Sequence, residues 1–257
     1  GLEQIFEDNP NKIGAIVLEP TQFEEPKNNF LQKVRKLANQ HDSLLILDEI
    51  VTGFRFDLAG GQKYFGIKGD LVCFGKGMAN GLPLSAITGP SEFMKTFDDL
   101  WVSSTNNSEA LSMAGTKAVI NEMKEKNTIQ HCWEMGKMLF DGWNKIAEQN
   151  NINAKMTGYP IRMDLKCFDT VNVESLSMKS FVLQEMVKQN VFMSILGSSY
   201  ICYSHTEQDV GKTLHSFENV CKIINNKIKN NNYQEHLDGL LPKTIWSMKL
   251  SSIKKHN

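Results

Sequence analysis

The sequence has no excess of basic charge, no long apolar run and no paired cysteine motif, and each gap removes a class of function. Its 257 residues hold 28 Lys and Arg against 29 Asp and Glu, a formal net charge of -1. The electrostatic footprint of a nucleic-acid binder is therefore missing. No stretch approaches the roughly 20 apolar residues that span a bilayer, and the first residues carry no secretory-leader pattern, so no membrane is expected as a partner. The five cysteines (Cys73, Cys132, Cys167, Cys202 and Cys221) are odd in number, scattered and without a C-x-x-C pair. They argue against a disulfide framework or a zinc knuckle and for a reducing, cytoplasmic setting. Among His41, His131, His205, His215, His236 and His256 no two stand four apart, so a helical metal pair is excluded and no metal is expected.

What is present is an ordinary globular balance, 41% hydrophobic and 22% charged, arranged as alternating strands and helices. "KIGAIVLEP", Lys12 to Pro20, is a short β-branched run halted by proline. Phe30, Leu31, Val34, Leu37 and Ala38 then recur at helical spacing, and "LLILD", Leu44 to Asp48, is a second strand. Together they make a βαβ unit. Such units align the C-terminal ends of their strands along one rim, where open α/β sheets bind ligands. Glu19 and Asp48 sit on that rim, and a third strand, "DLVCFG", delivers Gly75-Lys76-Gly77 to it.

Further on, "ANGLPLSAITG" combines an Asn80-Gly81 turn with a strand from Leu84 to Thr88. Helices are expected over Glu109 to Lys126 and Thr128 to Gln149. From about Asn151 the pattern becomes a strand at Pro160 to Phe168, a helix at Met178 to Gln189, a strand near Tyr200 to Ser204 and an amphipathic helix from Glu207 to about Lys229. The expected organisation is a large α/β domain with a mainly parallel sheet over residues 1–127 and a connecting helix over 128–150. A small α+β domain over 151–230 and a solvated, loose tail over 231–257 complete it.

Three chemistries fit Asp48, Lys76 and Glu19. Asp48 caps the turn after its strand and Lys76 is a surface lysine; or "LLILDE" is the magnesium strand of a P-loop ATPase; or the pair serves pyridoxal phosphate. The second requires a GxxxxGK[ST] loop, and the segment ending at Lys76 begins with Asp70 and is followed by Gly77. In the third, Lys76 forms a Schiff base with the cofactor and Asp48 pairs with its pyridinium nitrogen, so that the ring becomes an electron sink. Lys76 must then attack as a neutral amine, a form that burial or a nearby cation favours. Gly75 and Gly77 leave room for close approach on both sides of it.

The blocks "LLILDEIVTGFR", "GGQKYFGIKGDLVCFGKGMANGLPLSAITG" and "SSTNNSEALSMAGTKAVI" resemble the class III aminotransferases among the fold-type I pyridoxal phosphate enzymes. Within that class they are most similar to the glutamate-1-semialdehyde aminomutase-like branch, and "FVLQEMVKQNVFM" and "YICYSHTEQDV" resemble its C-terminal domain. The resemblance implies a PLP-transferase-like large domain, Lys76 as the Schiff-base lysine and Asp48 as the pyridinium partner. It puts Ile50 against one face of the ring, and Thr105 at the cofactor phosphate of a neighbouring subunit, hence a homodimer with shared active sites. Glu19 and Glu24, in "EPTQFEEP", fall at a family strand end, Glu24 where some members carry a substrate-pocket acid; a solvated loop carboxylate is the alternative. Val51 stands where other members carry Gln, Gly69 where the family often has Pro, and "NNSEA" replaces the usual "GNP".

The resemblance also implies a substantial portion before "GAIVLEP", containing the helix N-terminus that cradles the cofactor phosphate. Residue 1 is Gly, and the chain is expected to be a fragment of a longer enzyme, with weak cofactor binding and exposed sheet edge on its own. The expected function is transfer of an amino group between a small-molecule amine donor and a carbonyl acceptor with pyridoxal 5'-phosphate. The alternatives are intramolecular amino transfer on glutamate-1-semialdehyde, and a non-catalytic, decayed or auxiliary subunit.

Overall fold

The computed structural model describes residues 1–170, 173–195, 197–228 and 230–242; the end of the expected tail, including His256, lies outside the described residues. In chain order the elements are α1 (Leu2–Asp8), β1 (Ala15–Leu18), α2 (Phe30–Gln40), β2 (Leu44–Asp48), α3 (Gly61–Tyr64), β3 (Leu71–Phe74), β4 (Ala86–Thr88) and α4 (Ser91–Met94). They continue with α5 (Ala110–Glu125), α6 (Thr128–Gln149), β5 (Ala154–Tyr159), β6 (Arg162–Thr170), β7 (Val173–Glu174), α7 (Leu176–Lys188), β8 (Ser199–Tyr200) and α8 (Glu207–Lys227). The chain folds as two compact units. The first comprises Gly1–Phe140, Gly158–Met163 and Tyr200–Val210; the second comprises Asp141–Thr157, Asp164–Ser199 and Gly211–Asn257.

The first unit is built on a sheet in the order β1-β2-β3-β4. β1, β2 and β3 are parallel, with Leu18 opposite Leu47 and Asp48 opposite Cys73, and β4 runs antiparallel to β3. Alternation along the strands sends Ile16, Leu45, Leu47 and Val72 to one face, where they share a core with Leu31, Val34 and Ala38 of α2 and with Phe6 of α1. Of the helical apolar set read from the sequence, Phe30 is the exception and lies exposed. The opposite face is open: Val17 is 65% exposed and Ile87 46%, although parallel sheets are normally covered on both sides. Arg35 of α2 pairs with Asp70 at 2.6 Å, and the same carboxylate oxygen accepts the Leu45 N–H at 2.7 Å, fixing helix to sheet.

α5 begins where its cap dictates. The Glu109 carboxylate accepts the N–H groups of Leu111 and Ser112, satisfying donors that the first turn leaves free. The Ser112 side chain first, and then these two N–H groups, hold the Glu109 carboxyl below its usual range.

In the second unit, Trp143 is fully buried and stacks on Phe217 at 3.6 Å between centroids, while its indole N–H donates to the Ala154 carbonyl. β5, β6 and β7 are neighbours in that order, with β8 beside β6. Three features depart from the sequence reading. β5 was not anticipated, and Pro160 lies in the turn between β5 and β6 rather than opening a strand. The strand expected at Tyr200 to Ser204 shrinks to Ser199–Tyr200, because the chain turns at Cys202, whose carbonyl accepts the His205 N–H at 3.0 Å. The tail expected to be loose contains a 3-10 turn, Tyr233–His236. Tyr233 is buried against Phe181, and Lys188 pairs with Asp238 at 2.8 Å.

Candidate active site

The site forms where β2 and β3 end. Asp48 is half-buried, and its Oδ1 accepts the Ile50 N–H at 3.0 Å, so it does cap the turn after its strand. Glu49 continues the sheet pairing with a backbone N–H to the Cys73 carbonyl at 2.9 Å. Asp48 and β3 are close enough to interact: burial pushes the Cys73 thiol up from its ordinary value, and the Asp48 charge pushes it the same way.

Beyond β3, Gly75 is extended and Lys76 opens a 3-10 turn, Lys76–Met78. Lys76 has φ +43°, the left-handed region that residues with a Cβ rarely adopt, a conformation costing about 1–3 kcal/mol for such a residue. The turn is held by Met78 N–H to Gly75 O at 3.0 Å and by burial of Met78 and Ala79. Lys76 is exposed, so burial, one of the two influences named for favouring a neutral amine, is not supplied by the described residues. A Cβ on Gly75 would rest 3.6 Å from Ile50 Cγ2, and one on Gly77 would meet nothing nearer than 3.9 Å. The chain's own packing therefore does not demand glycine at either position. Glycine there keeps space open on both sides of Lys76, with Ile50 bordering it.

The remaining sequence-derived residues divide. Glu19 lies on the rim but is engaged: Arg162 Nη1 sits 3.6 Å from its Oε2, donates to Thr21 O at 3.1 Å, and has its guanidinium 5.0 Å over the Phe23 ring. Tyr159 and Thr21 hydroxyls hydrogen-bond at 3.0 Å beside it. Glu24 is exposed, its backbone carbonyl accepting the Thr21 hydroxyl at 2.8 Å. Thr105 lies in an exposed turn over 105–108, preceded by Leu100, Trp101 and Val102, of which Trp101 is 94% exposed. The structure thus brings Asp48, Ile50 and Lys76 to one corner, with Glu19 further along the rim.

Sequence reasoning missed Glu49 and Arg55. Glu49 is fully buried. Its carboxylate accepts the Thr52 hydroxyl, the Gly61 N–H at 2.8 Å and the Gln62 N–H at 2.6 Å, capping α3 from the strand side. The signal was the Gly60-Gly61 pair: Gly60 has φ +83°, and a Cβ there would fall 2.6 Å from the Glu49 carboxylate. Arg55 stacks its guanidinium 4.4 Å from the Tyr200 ring centre and donates to Ile201 O at 3.2 Å. Burial draws its pKa down, a trend the nearby Tyr200 opposes. It borders a cavity of about 570 Å³ that reaches Gly77, next to Lys76.

The family model for aminotransferase class-III matches residues 1–203. A glutamate-1-semialdehyde 2,1-aminomutase of Alkaliphilus oremlandii is 31% identical over 229 residues, covering 83% of this chain and 53% of its own length. A 3-aminobutyryl-CoA aminotransferase of Cloacimonas acidaminovorans is 30% identical over 222 residues, covering 84% and 54%. The chain spans about half the length of these curated relatives. Among solved structures, the FumI protein of a Sphingopyxis species, in its PLP internal aldimine form, superposes with a TM-score of 0.80 at 21% identity, covering 88% of this chain and 55% of its own. That likeness is one of fold. With four-fifths of its length accounted for by the family model, this chain belongs to the class-III aminotransferase family.

Proposed function

We propose that this chain carries the lysine-bearing part of a pyridoxal phosphate-dependent transaminase, which moves an amino group between a small-molecule amine and a carbonyl acceptor. The observation that carries the reading is the shared corner of Asp48 and Lys76. They terminate adjacent parallel strands, Asp48 standing opposite Cys73 three positions before the lysine. The residues fit the cofactor: a carboxylate, an amine in a conformation that packing alone does not favour, and an open slot bordered by Ile50 and two glycines.

When bound, pyridoxal phosphate supplies an electron sink that stabilises a carbanion at the substrate carbon bearing the amino group. Lys76 Nζ is the group that would hold the cofactor covalently and, when free, would serve as the base that removes the proton from the substrate carbon bearing the amino group. Asp48 keeps an anion on the corner where a protonated pyridine nitrogen needs one, while its Oδ1 stays oriented by the Ile50 N–H. Ile50 lends an aliphatic face to the ring. Glu19, tied to Arg162, serves the rim's shape, and Glu24 is the candidate for contact with substrate.

Intramolecular amino transfer on glutamate-1-semialdehyde is the second reading, favoured by the names of relatives such as those of Alkaliphilus oremlandii and Wigglesworthia glossinidia brevipalpis. We further infer a cytoplasmic homodimer in which Thr105 meets the cofactor phosphate of the partner subunit. The exposed Leu100-Trp101-Val102 run beside it supports a covering surface there. Among the described residues no helix is long and apolar enough to cross a membrane.

The test is borohydride reduction of the protein from its own source, followed by intact mass and peptide mapping. A phosphopyridoxyl group on Lys76 is expected. Absence of modification at Lys76 in the presence of excess cofactor sinks the reading.

A further inference from the structure

Burial raises the thiols of four of the five cysteines, Cys132 among them. Cys167 and Cys221 are buried, and burial pushes each thiol up to about 12; burial also raises Cys73. Cys202 differs in two respects. It is exposed, and its Sγ lies 3.2 Å from His205 Nδ1. The same nitrogen also lies 3.1 Å from the Cys202 backbone nitrogen and 3.3 Å from the Cys202 carbonyl oxygen, so the tautomer decides which of them it bonds. In the tautomer protonated at Nε2, the Nδ1 lone pair is within reach of the thiol proton, which shares it with the Cys202 backbone N–H.

The turn that presents this pair is fixed on both sides. Ile201 is buried and its carbonyl takes a hydrogen bond from Arg55. The His205 carbonyl is bonded to His131 Nε2 at 2.8 Å, and the His131 ring meets Tyr203 edge-on at 5.0 Å. Cys202 opens on the cavity of about 570 Å³ described above, whose apolar wall includes Val119, Met123 and Ile129. Arg55 lines the same cavity, and its donation to Ile201 O uses one of its five N–H bonds.

We propose that Cys202, with His205 as its proton acceptor, is a nucleophilic thiol that takes apolar α,β-unsaturated carbonyl compounds bound in this cavity. The Sγ–H bond breaks and its proton passes to His205 Nδ1. Sγ then bonds to the β-carbon of the ligand, the π pair of the C=C bond shifts toward the carbonyl, and Arg55 donates to the oxygen on which charge develops. The imidazolium returns the proton to the ligand's α-carbon, so that thiol plus alkene become a thioether with nothing lost. The step uses neither pyridoxal phosphate nor Lys76, although the cavity reaches Gly77 beside that lysine.

The experiment uses the purified natural protein with limiting N-cyclohexylmaleimide, followed by intact mass and peptide mapping over time. The first adduct is expected on Cys202. His205→Gln is expected to slow Cys202 labelling by at least about tenfold, below the roughly 10²–10⁴-fold that a positioned base contributes in catalysis, with an unchanged urea midpoint as the check on folding. A first adduct on another cysteine, or a rate unmoved by His205→Gln, overturns the proposal and leaves exposure alone as the cause. A second measurement guards against a variant that fails to fold. On the unmutated protein, the preference of Cys202 for N-cyclohexylmaleimide over iodoacetate should exceed that of free glutathione, and an equal preference overturns the role of the cavity.

Discussion

The Glu49 carboxylate accepts the Gly61 N–H at 2.8 Å across the turn that follows β2, while its neighbour Asp48 stays on the rim. The two carboxylates of "LLILDE" thus separate into one that ties the scaffold from inside and one that caps a turn on the rim. Glu49→Gln tests the first role. Whichever way the amide turns, its NH2 meets a donor already there, the Gly61 or the Gln62 N–H, and one buried backbone group loses its acceptor. The expected loss is about 1–3 kcal/mol, read as a lower urea midpoint, and a midpoint equal to that of the parent would show that Glu49 is not needed to hold α3.

What the sequence disclosed and what it hid follow from how local each signal is. β2 was legible because four apolar residues run into an aspartate, and α6 because its apolar face and its ends are marked within the segment itself. The placement of Lys76 and Asp48 beside one another was legible because the strand ends that carry them are local features and parallel strands share a rim. The inward turn of Glu49 was not, since an Asp-Glu pair does not say which member goes inside. The partner of Glu19 was also hidden: Arg162 lies far along the chain, at the start of a strand whose Pro160 drew attention to the wrong residue. β8 misled in the opposite sense, because "YICYS" alternates like a strand but closes into a turn at His205.

Gly136 tests the approach of α6 to the turn before β6. Alanine in a helix interior is favoured over glycine by roughly 1 kcal/mol. Here its Cβ would fall 2.2 Å from the Pro160 carbonyl oxygen and 2.7 Å from the carbonyl carbon, both backbone atoms that cannot swing aside. Overpacking costs about 1–3 kcal/mol, and a contact this short belongs at the upper end. Gly136→Ala is therefore expected to destabilise, and a raised denaturation midpoint would mean that helix and turn stand further apart.

Alkaline pH should weaken the second unit. Burial pushes the thiols of Cys167 and Cys221 from 9.0 up to about 12 and the Tyr233 phenol from 10.0 to about 12. Groups raised in the folded state contribute fully below their unfolded values and lose that contribution as pH rises toward the folded ones, because the unfolded chain releases its protons first. The urea midpoint should fall between pH 9.0 and about 12. Cys167→Ala should show a shallower fall from a lower starting stability, and an unchanged slope would rule out Cys167 as a source of it.

Asp48 has two roles that one substitution can separate. Its Oδ1 caps the turn by accepting the Ile50 N–H at 3.0 Å, and the proposed function asks it also for a negative charge opposite a pyridine nitrogen. Asp48→Asn keeps an oxygen for the turn and removes the charge; Asp48→Ala removes both. If Asp48 only caps, Asn should behave like the parent, and Ala should lose the 0.5–1.5 kcal/mol that is roughly the worth of one such hydrogen bond. If the charge serves the cofactor, both variants should lose most of the phosphopyridoxyl label trapped on Lys76 by borohydride, while only Ala loses stability. A charge-assisted hydrogen bond is worth about 1.5–3 kcal/mol, so the cofactor concentration giving half-maximal labelling should rise by at least about tenfold for Asn. Full labelling of Asp48→Asn at the parent's cofactor concentration would leave Asp48 as a turn residue and Lys76 without the partner that the strand ends provide.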